Sequence, residues 1–134
     1  MAATILVIDD NLDMQFLFRR FLEIWGYDVV VAINGEDGLR ELEQSHPDLV
    51  LLDLMMPVMD GFEFLEVKNQ DPYLSSIPVL VASAIAESPS PSGTQGFLRK
   101  PVDLKVMLKE IEGICGPAQK EERNNRGAYT EGLG

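Results

Sequence analysis

The stretch LVLLDLMMPVMDG, which runs from Leu49 to Gly61, joins an apolar run directly to a carboxylate. Four aliphatic residues precede Asp53, and such an uninterrupted run is typical of a strand that is buried on both faces of a parallel sheet. Burying a carboxylate without a partner is costly in free energy. We therefore expect Asp53 to lie at the rim of the sheet, where it has either a partner or a chemical role.

Apolar runs and helical spacing alternate along the rest of the chain. Strands are predicted at residues 4–8, 27–33, 48–53, 77–83 and 96–99. Helices are predicted at residues 14–25, 36–44, 62–69 and 104–115, the last of them capped by Asp103. Strands that alternate with helices are typical of βαβ units, so we predict an α/β fold whose five-stranded parallel sheet carries helices on both faces.

The first of these helices has an apolar face. Apolar residues recur at the i, i+3, i+4 spacing that predicts packing on the sheet, and they are Met14, Leu17, Phe18, Phe21, Leu22 and Trp25. Phe16 falls outside this face, so its aromatic ring is expected to be partly exposed.

The connection between the fourth and fifth strands breaks the alternation. It contains AESPSPSGTQ, from Ala86 to Gln95, whose prolines, serines and glycine cannot sustain a regular helix. We predict that a loop or a single helical turn replaces the helix there. The chain from Pro117 onward is polar and has little to bury. Residues 1–116 are therefore expected to form one domain, and residues 117–134 a disordered tail or an expression remnant.

Composition and charge exclude several classes of protein. The chain has 134 residues, of which 46% are apolar and 25% charged, as in an ordinary globular domain. No apolar segment approaches the roughly 20 residues that span a bilayer, and the start MAATILVIDD lacks the basic region of a signal peptide. We therefore expect no membrane partner and a cytoplasmic location. The single cysteine, Cys115, excludes an internal disulfide and a cysteine-based zinc cluster. The net charge of −11 disfavours direct binding of nucleic acid.

Charged and hydroxyl side chains follow the predicted strands at one edge of the sheet. The residues at these strand ends are Asp9, Asp10, Asp53, Ser83 and Lys100. In an open parallel sheet, sites form outside the carboxyl ends of the strands. If the first and third strands are neighbours, three carboxylates crowd together there. Two like charges about 4 Å apart repel by about 4 kcal/mol at an effective dielectric constant of about 20, so either one carboxyl is protonated or a cation binds.

The residue types at this edge are suited to a metal ion and a phosphoryl group. Oxygen ligands without a nearby histidine or cysteine favour a hard cation, Mg²⁺ or Ca²⁺, over zinc. Mg²⁺ suits a site with few protein ligands because it usually keeps several waters and binds a phosphate oxygen. Lys100 would add positive charge and Ser83 a hydroxyl donor. Together these groups could surround a phosphoryl group on Asp53, since a carboxylate is a nucleophile that forms an aspartyl-phosphate.

Four motifs in this order resemble the receiver domain of two-component response regulators, over residues 5–114. They are VIDD at Val7 to Asp10, LLDLMMPVMDG at Leu51 to Gly61, Ser83-Ala84, and LRKP at Leu98 to Pro101. The resemblance is to the chemotaxis-regulator-like receivers. It implies a flavodoxin-like doubly wound sheet with the strand order 2-1-3-4-5.

The resemblance assigns roles to the acidic residues. It implies that Asp53 accepts a phosphoryl group from a histidine kinase or a histidine phosphotransfer protein. It also implies that Asp10 and Asp53 bind Mg²⁺ directly, that Asp9 acts through water, and that the backbone carbonyl of Met55 is a further ligand. Self-phosphorylation and autodephosphorylation at Asp53 would then depend on Mg²⁺, without a conventional enzyme activity.

The resemblance also implies how the phosphoryl group is sensed. Ser83 and Lys100 bind its oxygens, and Phe97 matches the aromatic residue that changes rotamer, so Ser83 and Phe97 form the switch. Phe97 is equally consistent with a plain core residue. Phe16 either belongs to a docking surface for the phosphodonor or covers neighbouring loops.

The predicted function is that of a phosphoacceptor that switches contacts with a downstream protein effector, as a monomer or a weak dimer. Receivers commonly signal through their fourth helix, fifth strand and fifth helix, and the short connection after Ser83 puts that route in doubt. Two alternatives stay open. One is a receiver-like protein-binding module that works independently of phosphorylation. The other is a metal-dependent phosphatase on a similar sheet, for which the sequence offers no second catalytic acid in the expected place.

Overall fold

Among residues 2–85 and 91–117, which the computed structural model describes, five strands alternate with four helices. The strands are β1 (Thr4–Ile8), β2 (Asp28–Ala32), β3 (Leu49–Leu52), β4 (Val79–Ser83) and β5 (Gly96–Arg99). The helices are α1 (Leu12–Ile24), α2 (Gly35–Ser45), α3 (Gly61–Gln70) and α4 (Leu104–Cys115). All paired strands are parallel and the sheet order is β2-β1-β3-β4-β5, which confirms the predicted flavodoxin-like fold.

Successive residues of the central strands point to opposite faces of the sheet and enter two separate cores. Ile5 and Val7 of β1 belong to one core, which includes residues of α1 and α4. Leu6 and Ile8 belong to the other, which includes residues of α2 and α3. Because helices cover both faces, the central strands have no polar face. This explains the uninterrupted apolar run of β3, in which every residue is buried.

The ends of the elements differ from the predictions by a few residues, for local reasons. α1 begins earlier than predicted because the side chain of Asn11 accepts a hydrogen bond from the Met14 N–H and caps the helix. β4 begins at Val79 rather than Ile77, since the Ile77 N–H donates to the Leu74 carbonyl and closes a turn outside the sheet. Single hydrogen bonds of this kind decide where an element ends, and hydrophobic periodicity does not detect them.

The inner face of α1 differs from its predicted composition. Phe18 and Leu22 are buried as expected, but Leu17 is 43% exposed, so the prediction that it packs inward is wrong. Gln15 lies in the buried stripe instead, at the i, i+3, i+7 spacing with Phe18 and Leu22. Phe16 lies outside the stripe and is exposed, as predicted.

The last residue of the connection between β4 and β5 is hydrogen-bonded to the beginning of β4. The Gln95 N–H donates to the Val79 carbonyl at 2.8 Å, and the side-chain oxygen of Gln95 accepts from the Val79 N–H at 2.7 Å. Residues 84–85 and 91–95 are not helical, in agreement with the predicted loop, while residues 86–90 lie outside the described part of the chain.

The predicted tail, residues 117–134, also lies outside the described part of the chain, apart from Pro117. Asp103 caps α4 as predicted, because its side chain accepts hydrogen bonds from the first turn of that helix. Within the described ranges, no helix is both long and apolar enough to cross a membrane.

Gly61, the first residue of α3, lies so close to the end of β3 that a side chain has no room there. A Cβ atom at this position would lie 2.6 Å from the Asp53 carbonyl oxygen and 2.7 Å from the Leu54 Cα, and both are backbone atoms. We expect Gly61→Ala to lower the free energy of unfolding by about 1–3 kcal/mol, the usual cost of overpacking, as measured by urea denaturation.

Gly113→Ala is the matched control for this substitution. Gly113 lies within α4, and a Cβ atom there would meet nothing within 4 Å beyond its own helix backbone. Helix propensity alone then predicts a gain of about 0.5–1 kcal/mol in the free energy of unfolding. Equal effects of the two substitutions would contradict the lack of space at Gly61.

Candidate functional site

The pairing of β1 with β3 brings Asp9 and Asp53 together. Ile8 and Leu52 are register partners, so the residues that follow them leave the sheet side by side. The Asp53 N–H donates to the Ile8 carbonyl at 2.9 Å, and the Asp9 N–H donates to the Ala32 carbonyl at the end of β2, at 3.1 Å. Both residues are almost fully buried, with 2% of Asp9 and 6% of Asp53 exposed, so their charges require compensation.

The pairing of β4 with β5 places Ser83 and Lys100 in the same way. Ser83 is in register with Arg99, and the Lys100 N–H donates to the Ser83 carbonyl at 2.9 Å. Ser83 is fully buried, and its hydroxyl oxygen accepts a long hydrogen bond from the Ile85 N–H at 3.4 Å. Both residues therefore lie at the edge of the sheet where Asp53 follows β3.

The amine of Lys100 reaches both buried carboxylates. Its Nζ donates a hydrogen bond to Asp9 Oδ2 at 2.6 Å and lies 3.6 Å from Asp53 Oδ2. The Lys100 side chain is 16% exposed, so solvent and salt screen these interactions weakly. Lys100 thus supplies the paired charge that buried carboxylates need.

Three carboxylates lie close together at this edge of the sheet. Asp9, Asp10 and Asp53 each present an oxygen atom within 4.8 Å of the others, and Asp10 is exposed whereas the other two are buried. One ammonium group compensates one of these negative charges, which leaves an excess that matches a divalent cation. Carboxylate oxygens are the ligands that Mg²⁺ and Ca²⁺ prefer, so the three residues fit the predicted Mg²⁺.

Burial raises the pKa of the Asp53 carboxyl above its usual value, because the ionised group loses hydration at this position. The positive charge of Lys100 opposes the shift in pKa, and the negative charge of Asp9 adds to it. Hydrogen bonds from the Met55 N–H and the Ser83 hydroxyl lower the pKa again, yet the net direction is upward. The ionised form of Asp53 is therefore stabilised by any further positive charge beside it.

A cavity of about 550 Å³ opens over these side chains. Besides the three carboxylates and Lys100, it is lined by Asn11, Met14, Met55, Ala84 and Pro101. A volume of this order accommodates a small ligand together with its ordered waters. The cavity gives a group approaching from solvent access to the strand ends.

Two of the predicted site residues play a less direct part in this geometry. The Met55 side chain is 60% exposed, and the Met55 N–H donates to Asp53 Oδ1 at 3.4 Å. Phe97 in β5 is half-buried and packs against the core on the α2 and α3 face. The metal role of the Met55 carbonyl and the rotamer switch of Phe97 stay predictions.

Gln15 and Asn11 contribute to the site, although hydrophobic periodicity does not identify them. The side-chain amide of Gln15 donates to the Asp9 carbonyl at 2.7 Å and to the Ala32 carbonyl at 3.0 Å. The Asn11 N–H donates to Asp9 Oδ1 at 2.9 Å. A polar residue at an inward position of an apolar helix face is the sequence signal that could have identified Gln15.

Comparison with known proteins relates the chain to one family. Residues 5–112 match the family described as the response regulator receiver domain. The chain is 36% identical over 115 residues to the DNA-binding dual master transcriptional regulator RpaA of Synechocystis sp., an alignment that covers 82% of this chain and 48% of RpaA. The chain is 32% identical over 117 residues to Protein PilH of Pseudomonas aeruginosa, and here the alignment covers 84% of this chain and 97% of PilH.

The chain thus spans about half the length of RpaA and nearly all of PilH. Among solved structures, the chemotaxis protein CheY4 of Vibrio cholerae superposes with a TM-score of 0.76 at 26% sequence identity. This superposition covers 85% of this chain and 99% of CheY4. The family match over residues 5–112 includes the carboxyl ends of all five strands and the site residues that follow them.

The raised pKa of Asp53 makes the stability of the protein depend on pH. A carboxyl group with a raised pKa in the folded state contributes stability that is complete below its unfolded pKa of about 3.9 and is lost as the pH rises through the folded pKa. We expect Asp53→Asn, which removes the charge, to raise the free energy of unfolding at neutral pH by about 1 kcal/mol without divalent cations. Near pH 4 the gain should be smaller. Urea denaturation in EDTA at both pH values measures the difference, and a larger gain at the acidic value would contradict the expected direction.

Proposed function

The chain belongs to the response regulator receiver domain family, and on that premise we propose that Asp53 is the phosphoacceptor of a two-component signalling system. The observation that supports this proposal best is the Lys100 amine, which lies 2.6 Å from Asp9 and 3.6 Å from Asp53. A largely buried cation beside two carboxylates is suited to compensate the additional negative charge that a phosphoryl group brings.

In the proposed reaction, a carboxylate oxygen of Asp53 attacks the phosphorus atom of a phosphohistidine. The donor is a histidine kinase or a histidine phosphotransfer protein. The new O–P bond forms as the P–N bond breaks, and the departing imidazole keeps the electron pair of that bond. Lys100 and Ser83 bind the oxygens of the transferred group, since positioned hydrogen-bond donors and charges are the main contribution of a protein to phosphoryl transfer. Attack by water on the phosphorus atom later releases inorganic phosphate and restores the Asp53 carboxylate.

Asp9, Asp10 and Asp53 would hold the Mg²⁺ ion on which both reactions are expected to depend, with the carbonyl of Met55 as a further ligand. When bound, the ion supplies positive charge that offsets the charge of the phosphoryl oxygens. Asp10 is exposed, whereas Asp9 is already hydrogen-bonded to Lys100 at 2.6 Å. This difference supports direct ligation by Asp10 and a role for Asp9 through water.

Phosphorylation is proposed to change contacts with a downstream protein effector. The net charge of −11 would repel the phosphate backbone of a nucleic acid. RpaA is named as a DNA-binding regulator, but the chain matches only 48% of it, whereas it matches 97% of PilH. Ser83 and Phe97 lie on the neighbouring strands β4 and β5, so a group bound by Ser83 can influence the packing of Phe97.

Acetyl phosphate with Mg²⁺ tests the proposal without a protein donor. We expect the wild-type chain to gain the mass of one phosphoryl group in a base-labile form, and Asp53→Asn to abolish that gain in intact-protein mass spectrometry. Lys100→Met should slow the reaction about 100-fold, because it removes the cation that binds the phosphoryl oxygens. Lys109→Met, at an exposed position of α4, should leave the rate unchanged.

Removal of Mg²⁺ with EDTA should abolish the mass gain as well. A wild-type chain that gains no mass with acetyl phosphate and Mg²⁺ would refute the proposal, and would favour a binding module that works independently of phosphorylation. A gain that persists in Asp53→Asn would show that another residue is the acceptor.

An exposed aromatic side chain on α1 provides a candidate docking surface for the phosphodonor. Phe16 is 64% exposed, and the guanidinium of Arg20 lies 5.8 Å from the centre of its ring. Leu12, one turn earlier in α1, is also exposed and lies two positions after Asp10 in the chain. Aromatic side chains carry much of the binding energy at protein interfaces, which supports contact between Phe16 and the donor.

Phe16→Ala should slow phosphotransfer from a phosphorylated histidine phosphotransfer protein about 10-fold and leave phosphorylation by acetyl phosphate unchanged. Ile24→Ala is the matched control, since Ile24 is 60% exposed on the same helix but at the end away from the site. Loss of radiolabel from the phosphorylated donor protein measures the transfer rate to each variant. Unchanged transfer in Phe16→Ala, or equal slowing in Ile24→Ala, would contradict docking at Phe16.

A further inference from the structure

Gln15 is a polar side chain in the buried stripe of α1, and 7% of it is exposed. Its side-chain nitrogen donates to two backbone carbonyls, that of Asp9 at 2.7 Å and that of Ala32 at 3.0 Å. These carbonyls lie at the ends of the neighbouring strands β1 and β2. One amide group therefore ties α1 to two strand ends, and one of them leads into the acidic site.

The bond to the Asp9 carbonyl fixes the peptide plane that leads into Asp10. A peptide unit is planar, so the Asp9 carbonyl and the Asp10 N–H rotate together. The preceding side of Asp9 is held as well, because its N–H donates to the Ala32 carbonyl at 3.1 Å. With both sides of Asp9 restrained, the bond from Gln15 holds in place the backbone from which the Asp10 side chain leaves.

Asp10 depends on this restraint more than its neighbours do. The Asp9 carboxylate is held directly, since Oδ1 accepts from the Asn11 N–H at 2.9 Å and Oδ2 from Lys100 at 2.6 Å. Asp10 is exposed, yet one of its oxygens lies within 4.8 Å of ligand atoms of Asp9 and Asp53. An exposed side chain has little packing to hold it, so its position follows that of its backbone.

We infer that Gln15 is a positioning residue that directs Asp10 toward Asp9 and Asp53 for the binding of a divalent cation. The inference rests on the proposed function, because it concerns the same acidic site. Hydrogen-bonded groups that orient metal ligands typically change metal affinity by about 10- to 100-fold when they are substituted.

A purely structural role is the other explanation for Gln15. Buried carbonyl groups need donors, and the loss of a donor destabilises a fold wherever it occurs. Lys68 provides the comparison, because it is fully buried and its amine donates to the Ser75 carbonyl at 3.2 Å from the last turn of α3. A substitution there removes a buried donor that does not contact the strand ends of the site.

Gln15→Met keeps the approximate size of the side chain and removes its donors. We expect it to raise the dissociation constant for Mg²⁺ about 10-fold, as measured by isothermal titration calorimetry on the unphosphorylated full chain. In metal-free protein, the amide hydrogens of Asp10 and Asn11 should exchange with solvent faster than in the wild type. Lys68→Met, the matched control, should lower stability in urea without changing either quantity.

The Mg²⁺ dependence of phosphorylation by acetyl phosphate provides a further readout. Gln15→Met should need about 10-fold more Mg²⁺ to reach its half-maximal rate. Its rate at saturating Mg²⁺ should stay close to that of the wild type, because Asp53 and Lys100 are unchanged. A general loosening of the site would instead lower the maximal rate.

Wild-type Mg²⁺ affinity in folded Gln15→Met would overturn the inference, as would an equal loss in Lys68→Met or a wild-type chain that does not bind Mg²⁺. If Gln15→Met does not fold, Gln15→Ala decides in the same assays. That truncation admits water from the surface cavity of about 210 Å³ that Gln15 helps to line. A wild-type chain that binds Mg²⁺ but is not phosphorylated would refute the proposed function and leave the inference standing.

Discussion

Two carboxylates that are almost fully removed from water, Asp9 and Asp53, lie at adjacent strand ends, and their proximity depends on the amine of Lys100. Like charges about 4 Å apart repel by about 4 kcal/mol at an effective dielectric constant of about 20, a large amount beside the stability of a domain. The amine is not shared equally, since it lies 2.6 Å from Asp9 and 3.6 Å from Asp53. Asp53 is therefore less well compensated, and burial keeps its pKa raised although the amine lowers it. The carboxylate that gains most from additional positive charge is also the proposed acceptor.

The register of the sheet is what places these charges. Ile8 is paired with Leu52, so Asp9 and Asp53 leave the sheet side by side. A shift of one residue in this pairing would turn every side chain of the strand to the opposite face and put the wrong residues into both cores. Because Leu52 belongs to the core on the α2 and α3 face, burial there holds the register, and the register in turn fixes the distance between the carboxylates. The register of β1 and β3 thus sets both the packing of the core and the distance between the charges at this site.

The sequence predicts those parts of the site that follow from strand ends. Asp53 comes directly after an apolar run and Lys100 directly after the predicted fifth strand. Parallel strands bring their carboxyl ends to one edge, so the convergence of these two residues follows from the topology. Gln15 is different, because its partners are backbone carbonyls that lie 6 and 17 positions away in the chain and have no residue signature. The wrong assignment of Leu17 has a related cause, because a helix face that is chosen by hydrophobicity favours a leucine over the side-chain amide of Gln15. Lys68 is also fully buried, although lysine is among the residue types most often found at the surface.

The connection between β4 and β5 begins at the site, but its last residue, Gln95, is hydrogen-bonded at the opposite edge of the sheet. Gln95 forms both of its backbone-directed bonds with Val79, at the beginning of β4, whereas Ser83 ends that strand at the acidic edge. Ser83 and Lys100 are joined by their own backbone hydrogen bond at 2.9 Å, which does not involve residues 91–95. The geometry of the candidate acceptor site and the attachment of residues 91–95 therefore depend on different contacts, while Ala84 and Ile85, at the start of the connection, contact the site directly. A substitution within residues 91–95 can therefore alter the surface that a partner would meet while the arrangement of Asp9, Asp53 and Lys100 is preserved.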